Sequence, residues 1–275
     1  MRKSYKNHRM GRLGLLAMAA MLMVSLSSGA CKADPKVVGK DLEYQQDGKP
    51  YLGYVAVDEN KEGKRPGILL IHEWTGLGDY VKSRADQLAA MGYTVFAMDM
   101  YGKGIRAQNH DEAAKLMTQY NEDRPLMRSR MEKALEILKS QATVDGDRIA
   151  VIGYCFGGGA AIEFALTGAD VDAVVSFHGV LGSPNLEKDA GKIKAAMQIH
   201  QGADDGFVPK ETIETLKKTL DEANVNYTFF SYPGAVHGFT RPTAGSDKST
   251  GIAYDPEADK LSWKRMTEFL EKTLE

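Results

Sequence analysis

Three short stretches hold the residue types that can carry nucleophilic chemistry. In the first, Gly153-Tyr154-Cys155-Phe156-Gly157, a thiol sits between two glycines directly after the apolar run Ile149 to Ile152, and Ala160 to Leu166 continues at helical spacing. A chain that turns at once from strand into helix strains its middle residue and needs small neighbours. This is the G-x-S-x-G spacing of a nucleophile elbow, with cysteine in place of serine. The helix that begins after Cys155 directs its positive end at the sulfur, which favours thiolate. Two other readings stand beside this one. Cys155 reads as an inert packing residue at a crowded corner, and Gly157-Gly158-Gly159 reads as a phosphate loop, although the G-x-G-x-x-G registration is missing.

A cysteine nucleophile needs a base, and the base needs an orienting acid. The second stretch, Gly202-Ala203-Asp204-Asp205-Gly206-Phe207-Val208, follows the expected strand Ala196 to His200, and the third, Gly234-Ala235-Val236-His237-Gly238-Phe239, follows the expected strand Tyr227 to Tyr232. Asp204 competes with Asp205 as a turn residue, but the G-x-x-D-x-x-V spacing selects Asp205. Of the six histidines, His237 alone combines a loop after a strand with this order. A solvated loop histidine is its plain alternative. Nucleophile, acid, histidine is the chain order of α/β hydrolases, and loops at the carboxyl ends of parallel strands converge on one site.

The elements that must position these loops follow from apolar periodicity. Leu42 to Gln46 and Tyr51 to Val57 flank the turn cluster Asp47-Gly48-Lys49-Pro50 and read as a hairpin. Strands at Gly67 to Ile71, Thr94 to Met98, Ile149 to Ile152 and Ala173 to Phe177 then alternate with helices at Tyr80 to Met91, Asp111 to Tyr120 and Pro125 to Lys139. Lys210 to Ala223 and Glu257 to Leu274 complete the helices. Buried strands alternating with helices predict an α/β fold: a mostly parallel sheet covered on both faces, in one domain over residues 34–275. Only 18 residues separate the strands Ala173 to Phe177 and Ala196 to His200, so no lid domain fits there. The loop Thr240 to Pro256, rich in Gly, Ser, Thr and Asp, is expected to be mobile.

The chain has 275 residues, 43% hydrophobic and 26% charged, as expected of a globular protein. Residues 1–33 read as a signal and processing region: a basic start at Arg2, Lys3, Lys6, Arg9 and Arg12, the apolar run Leu13 to Leu26, then small residues before Cys31. Export to the periplasm is expected. Ser28-Gly29-Ala30-Cys31 resembles a lipobox with Ser28 where Leu is usual, so a lipid anchor and simple cleavage both stand. Removing residues 1–30 takes away five positive charges and moves the formal charge from −2 to −7, with no basic stripe for nucleic acid. Cys31 and Cys155, the two cysteines, are not expected to pair, because Cys31 lies in the processing region and Cys155 on an internal turn. His72-Glu73 lacks the second histidine of a zinc motif, so no metal or other cofactor is expected.

"GYCFGG", "GADDGFVP" and "AVHGFTR" together make the chain, from about Asp41 to the C-terminus, resemble the dienelactone hydrolase family. The resemblance implies a hydrolase that opens a lactone or small carboxylic ester through a Cys155, His237, Asp205 triad and an acyl-thioester. It also implies that Glu73, in "LLIHEWTGL", restrains the thiol until substrate binds, as a neighbouring carboxylate can; a helix-cap or ion-pair role for Glu73 remains open. The backbone N–H groups of Phe156 and Trp74 would form the oxyanion hole. Arg241 matches a family arginine that holds a substrate carboxylate. In "DMYGKG" the substrate-binding positions fall on Tyr101 and Lys103, and lysine there replaces the family's second arginine. A thioesterase or general carboxylesterase on the same residues is the neighbouring expectation, and a non-catalytic envelope binding protein the distant one.

Overall fold

A computed structural model describes residues 34–275. The leader-like segment and Cys31 lie outside the described residues. Eight strands form one sheet in the order β1-β2-β4-β3-β5-β6-β7-β8. β1 (Val37–Gln46) and β2 (Lys49–Asp58) make the expected hairpin. Its turn is just Asp47 and Gly48, both with positive φ, 50° and 71°, the tight two-residue form that suits strand twist. β2 runs antiparallel to β4 (Thr94–Ala97), and every later pairing is parallel, through β3 (Arg65–Ile71), β5 (Val144–Tyr154), β6 (Ala173–Phe177), β7 (Ala196–Gly202) and β8 (Tyr227–Tyr232).

The central strands read as continuous apolar runs because both faces are covered. Leu69, Ile71, Val151 and Val174 point to one side, where α2 (His110–Glu122), α3 (Arg124–Lys139), α4 (Phe156–Ala165) and α6 (Lys210–Glu222) pack. Ile68, Leu70, Ala150, Ile152 and Val175 point to the other, under α1 (Asp79–Ala90) and α7 (Pro256–Thr273). The 18-residue connection after β6 holds only the one-turn helix α5 (Leu186–Asp189) and a 3-10 turn, Ala190–Lys192. It carries no lid.

The loop Thr240 to Pro256 is not the free segment its composition suggests. Ile252 pairs with His237 in an isolated parallel bridge. The Ala253 N–H donates to His237 O at 3.1 Å, and the Asp255 N–H to Phe239 O at 3.0 Å. Lys248 Nζ donates to Gly234 O at 2.7 Å and Asp255 Oδ2 at 2.8 Å. Backbone pairing, invisible in composition, fastens this loop to the loop that carries His237.

Candidate active site

β5 delivers Cys155 straight into α4, and the backbone shows the strain of that turn. Cys155 has φ 56° and ψ −117°, in a region that side-chain-bearing residues rarely occupy. The bend closes only because two residues lack a Cβ. One added at Gly153 would sit 1.9 Å from Gly157 O, and one at Gly157 would sit 2.4 Å from Ile71 O. The sulfur emerges at the carboxyl end of the sheet, where the loops after β3, β7 and β8 also end.

His237 reaches the sulfur from the loop after β8. Its Nε2 lies 3.1 Å from Cys155 Sγ and its Nδ1 lies 2.9 Å from Asp205 Oδ2. Asp205 is buried, whereas Asp204 is exposed. Gln201 Nε2 donates to Asp205 Oδ2 at 2.6 Å and the Phe207 N–H donates to Oδ1 at 3.0 Å, so the carboxylate is fixed by donors other than the histidine. Burial disfavours the charged imidazole. The charge of Cys155 and the hydrogen bonds that His237 donates to Asp205 and Cys155 outweigh it and push His237 up to about 10.

The Phe156 N–H opens α4 and the Trp74 N–H lies in the turn after β3. Among the described residues, neither N–H is taken up by another acceptor. His72 holds the turn in place: its Nδ1–H donates to Glu73 O at 2.6 Å while its Nε2 accepts from the Met100 N–H at 3.1 Å. Burial lowers the His72 pKa, in keeping with this neutral form. Tyr101 OH donates to Trp74 O at 2.9 Å. Tyr101 is thus buried behind the turn after β3, and the structure does not place it among the residues that line the cleft.

The cleft above Cys155, with a volume of about 110 Å³, is lined by Trp74, Met117, Val180, Phe207, His237 and Ile252, together with Glu73 and Arg241. Glu73 is 7% exposed, and burial raises its carboxyl above the usual range against the opposing charges of Arg241 and His237. Its ion-pair partner is Arg241, Nη1 to Oε2 at 3.7 Å, and the hydrogen-bond partner of the sulfur is His237. Of the two roles left open for Glu73, the geometry realises the ion pair.

Lys103, like Tyr101, is an expected substrate-binding residue that the structure does not bring to the cleft. Its Nζ pairs with Glu43 on β1, and it borders a separate depression with Pro50, Tyr51 and Arg130. A flexible ammonium with a carboxylate in reach on the hairpin is drawn there.

Several supporting residues carried no sequence motif. Gln201 is the penultimate residue of β7, which leads into the loop of Asp205. Thr240 Oγ1 joins His178 Nε2 at 2.7 Å and the Tyr80 hydroxyl at 2.6 Å. Arg84 binds Thr240 O at 2.9 Å and Asp259 Oδ1 at 2.5 Å. The His178 ring stands edge-on to His237 with centroids 5.3 Å apart. The one available signal was position: Phe207 lies in the same motif as Asp205, and Gln201 immediately precedes that motif.

Known proteins of similar sequence share this fold. The model of the dienelactone hydrolase family matches residues 52–274, and the chain belongs to that family. Protein usf of Aquifex pyrophilus is 30% identical over 243 residues, 86% of this chain and 100% of that protein. Among solved structures, m3DLH superposes with a TM-score of 0.83 at 33% identity, covering 87% of this chain and 99% of the other. A dienelactone hydrolase-like promiscuous phosphotriesterase from metagenomic libraries superposes at 0.82 with 34% identity, over 87% and 99% of the two chains. The protein is a hydrolase of the α/β-hydrolase fold.

Proposed function

We propose that the protein hydrolyses a lactone or small carboxylic ester through an acyl-thioester on Cys155. The observation that carries this reading is the continuous contact from Asp205 through His237 to Cys155, 2.9 Å and 3.1 Å, on a strained elbow. The thiolate attacks the carbonyl carbon and a C–S bond forms. The carbonyl electron pair moves to oxygen, where the Phe156 and Trp74 N–H groups receive it. Each such donor is worth about 2.7–4 kcal/mol in the transition state. Collapse of the tetrahedral species breaks the C–O bond, and the leaving alkoxide takes the proton from His237 Nε2. Water then gives a proton to His237 and attacks the thioester, which releases the acid and restores the sulfur.

Asp205 holds the imidazole in register and stabilises its charge throughout. The leader-like character of residues 1–33 supports placing this activity outside the cytoplasm. The test is hydrolysis of p-nitrophenyl acetate, an acyl-thioester and a dienelactone before and after thiol alkylation. Loss of all activity on alkylation agrees with the proposal, and the preferred substrate separates lactonase or esterase from thioesterase. A folded protein that turns over none of them favours a binding role.

A further inference from the structure

We propose that the depression bounded by the β1–β2 hairpin, the loop after β4 and the helices α2 and α3 is a second binding site, for a small carboxylate with an apolar body. It has a volume of about 370 Å³ and shares no lining residue with the cleft above Cys155. Tyr101 is the partition: its ring borders the depression, and its hydroxyl holds Trp74 O in the turn after β3. Tyr51 on β2, Tyr120 on α2 and Arg130 on α3 form the polar wall. They are 2%, 4% and 5% exposed, so the fold itself fixes them in place.

Tyr51 packs on Tyr44 and Tyr120 on Tyr101, each pair with ring centroids 5.4 Å apart. Tyr44 OH donates to Asp99 O and Tyr101 OH to Trp74 O, both at 2.9 Å, whereas no acceptor takes the hydroxyl proton of Tyr51 or Tyr120 among the described residues. Arg130 stands over the Tyr51 ring, 5.0 Å from its centroid, and gives Nη1 to Asp47 Oδ2 at 2.8 Å. Its Nε has no partner among the described residues. A guanidinium only donates, so it cannot receive either hydroxyl proton. Burial raises both phenols, Tyr120 to about 12, and each therefore keeps its proton at neutral pH. Buried donors that converge without acceptors match a carboxylate, which accepts at both oxygens. No acidic side chain lines the depression, and the acids that pair with its cations Arg130 and Lys103, Asp47 and Glu43, are exposed. Pro50, Leu116 and Leu126 supply apolar surface for the rest of the ligand.

The experiment is an NMR titration of the full chain at pH 7.5, read at the methyl signals of Leu116 and Leu126, with benzoate as the probe and benzamide as its uncharged analogue. Benzoate is expected to shift these signals with a Kd below about 10 mM, and benzamide to bind at least about tenfold more weakly. In Tyr51→Phe/Tyr120→Phe, which removes two oxygens and nothing else, benzoate affinity is expected to fall about tenfold or more. In Arg241→Gln, which alters the catalytic cleft, it is expected to stay unchanged. The absence of a saturating shift below about 10 mM, or equal affinity for benzamide, overturns the proposal. Both are read on the wild type, so they decide even where the double variant does not fold. Unchanged affinity in a folded Tyr51→Phe/Tyr120→Phe, or affinity that depends on Arg241, overturns it as well.

Discussion

His237 Nε2 and Cys155 Sγ, 82 residues apart in the chain, stand 3.1 Å from one another. Burial alone would strip the proton from the imidazole, but the charge of Cys155, together with Asp205, holds it there to about pH 10. In an NMR titration of the histidine rings, the His237 signal is expected to stay in its protonated position through neutral pH and change near 10. Cys155→Ala removes the largest raising contribution, so its His237 should titrate at least about one unit lower. A wild-type midpoint near the ordinary 6.5 would contradict the pairing.

Gly157→Ala tests the elbow. Its methyl would meet Ile71 O at 2.4 Å and His72 O at 2.7 Å, both backbone atoms that cannot rotate away. A loss of about 1–3 kcal/mol or more in urea unfolding is expected, with activity lost alongside. A variant of wild-type stability would mean that strand and helix do not meet so closely.

Glu73→Gln separates stability from activity. Burial raises the Glu73 carboxyl above its unfolded value, so its ionised form costs stability. The cost is fully present above the folded pKa and vanishes below the unfolded one, near 4.3. The variant should melt higher at pH 7, by about 2–4 °C for each kcal/mol recovered, with the gap closing as the pH falls toward 4. A lower melting temperature at pH 7 would show that the pair with Arg241 outweighs the burial cost.

Thr240→Val leaves the buried His178 Nε2 without the partner it has at 2.7 Å. A cost of about 1–3 kcal/mol is expected in denaturant unfolding, mostly restored in Thr240→Ser, which keeps the hydroxyl. A Thr240→Val variant of wild-type stability would contradict the role given to the hydroxyl.

Much of this was legible in the sequence because the signals were local. β6 and β8 have the bounds that apolar runs gave them, Ala173–Phe177 and Tyr227–Tyr232. The elbow announced itself through the spacing of Gly153 and Gly157 around Cys155, although the atoms that exclude a side chain at Gly157, Ile71 O and His72 O, come from the distant end of β3. What was not legible depends on pairing at a distance. β5 begins at Val144, not Ile149, because Val144 and Asp145 pair with Arg65 and Pro66 before a register shift. Lys103 was drawn off by Glu43, 60 residues upstream. The loop Thr240 to Pro256 read as mobile from its small polar residues, yet its bridge to His237 is made by backbone atoms, which composition does not report. The roles of His72 and His178 rest on complete burial, a property of the packed sheet ends.

The proposed hydrolysis turns on a covalent acyl group on Cys155. Intact-protein mass spectrometry of acid-quenched mixtures, taken within the first turnovers of p-nitrophenyl butyrate, detects it. One added butyryl mass is expected, mapped to the peptide bearing Cys155, absent from Cys155→Ala and persistent in any His237→Ala that is acylated, since deacylation needs the imidazole. Steady turnover by the wild type with no adduct on that peptide, or an adduct on another residue, would contradict it.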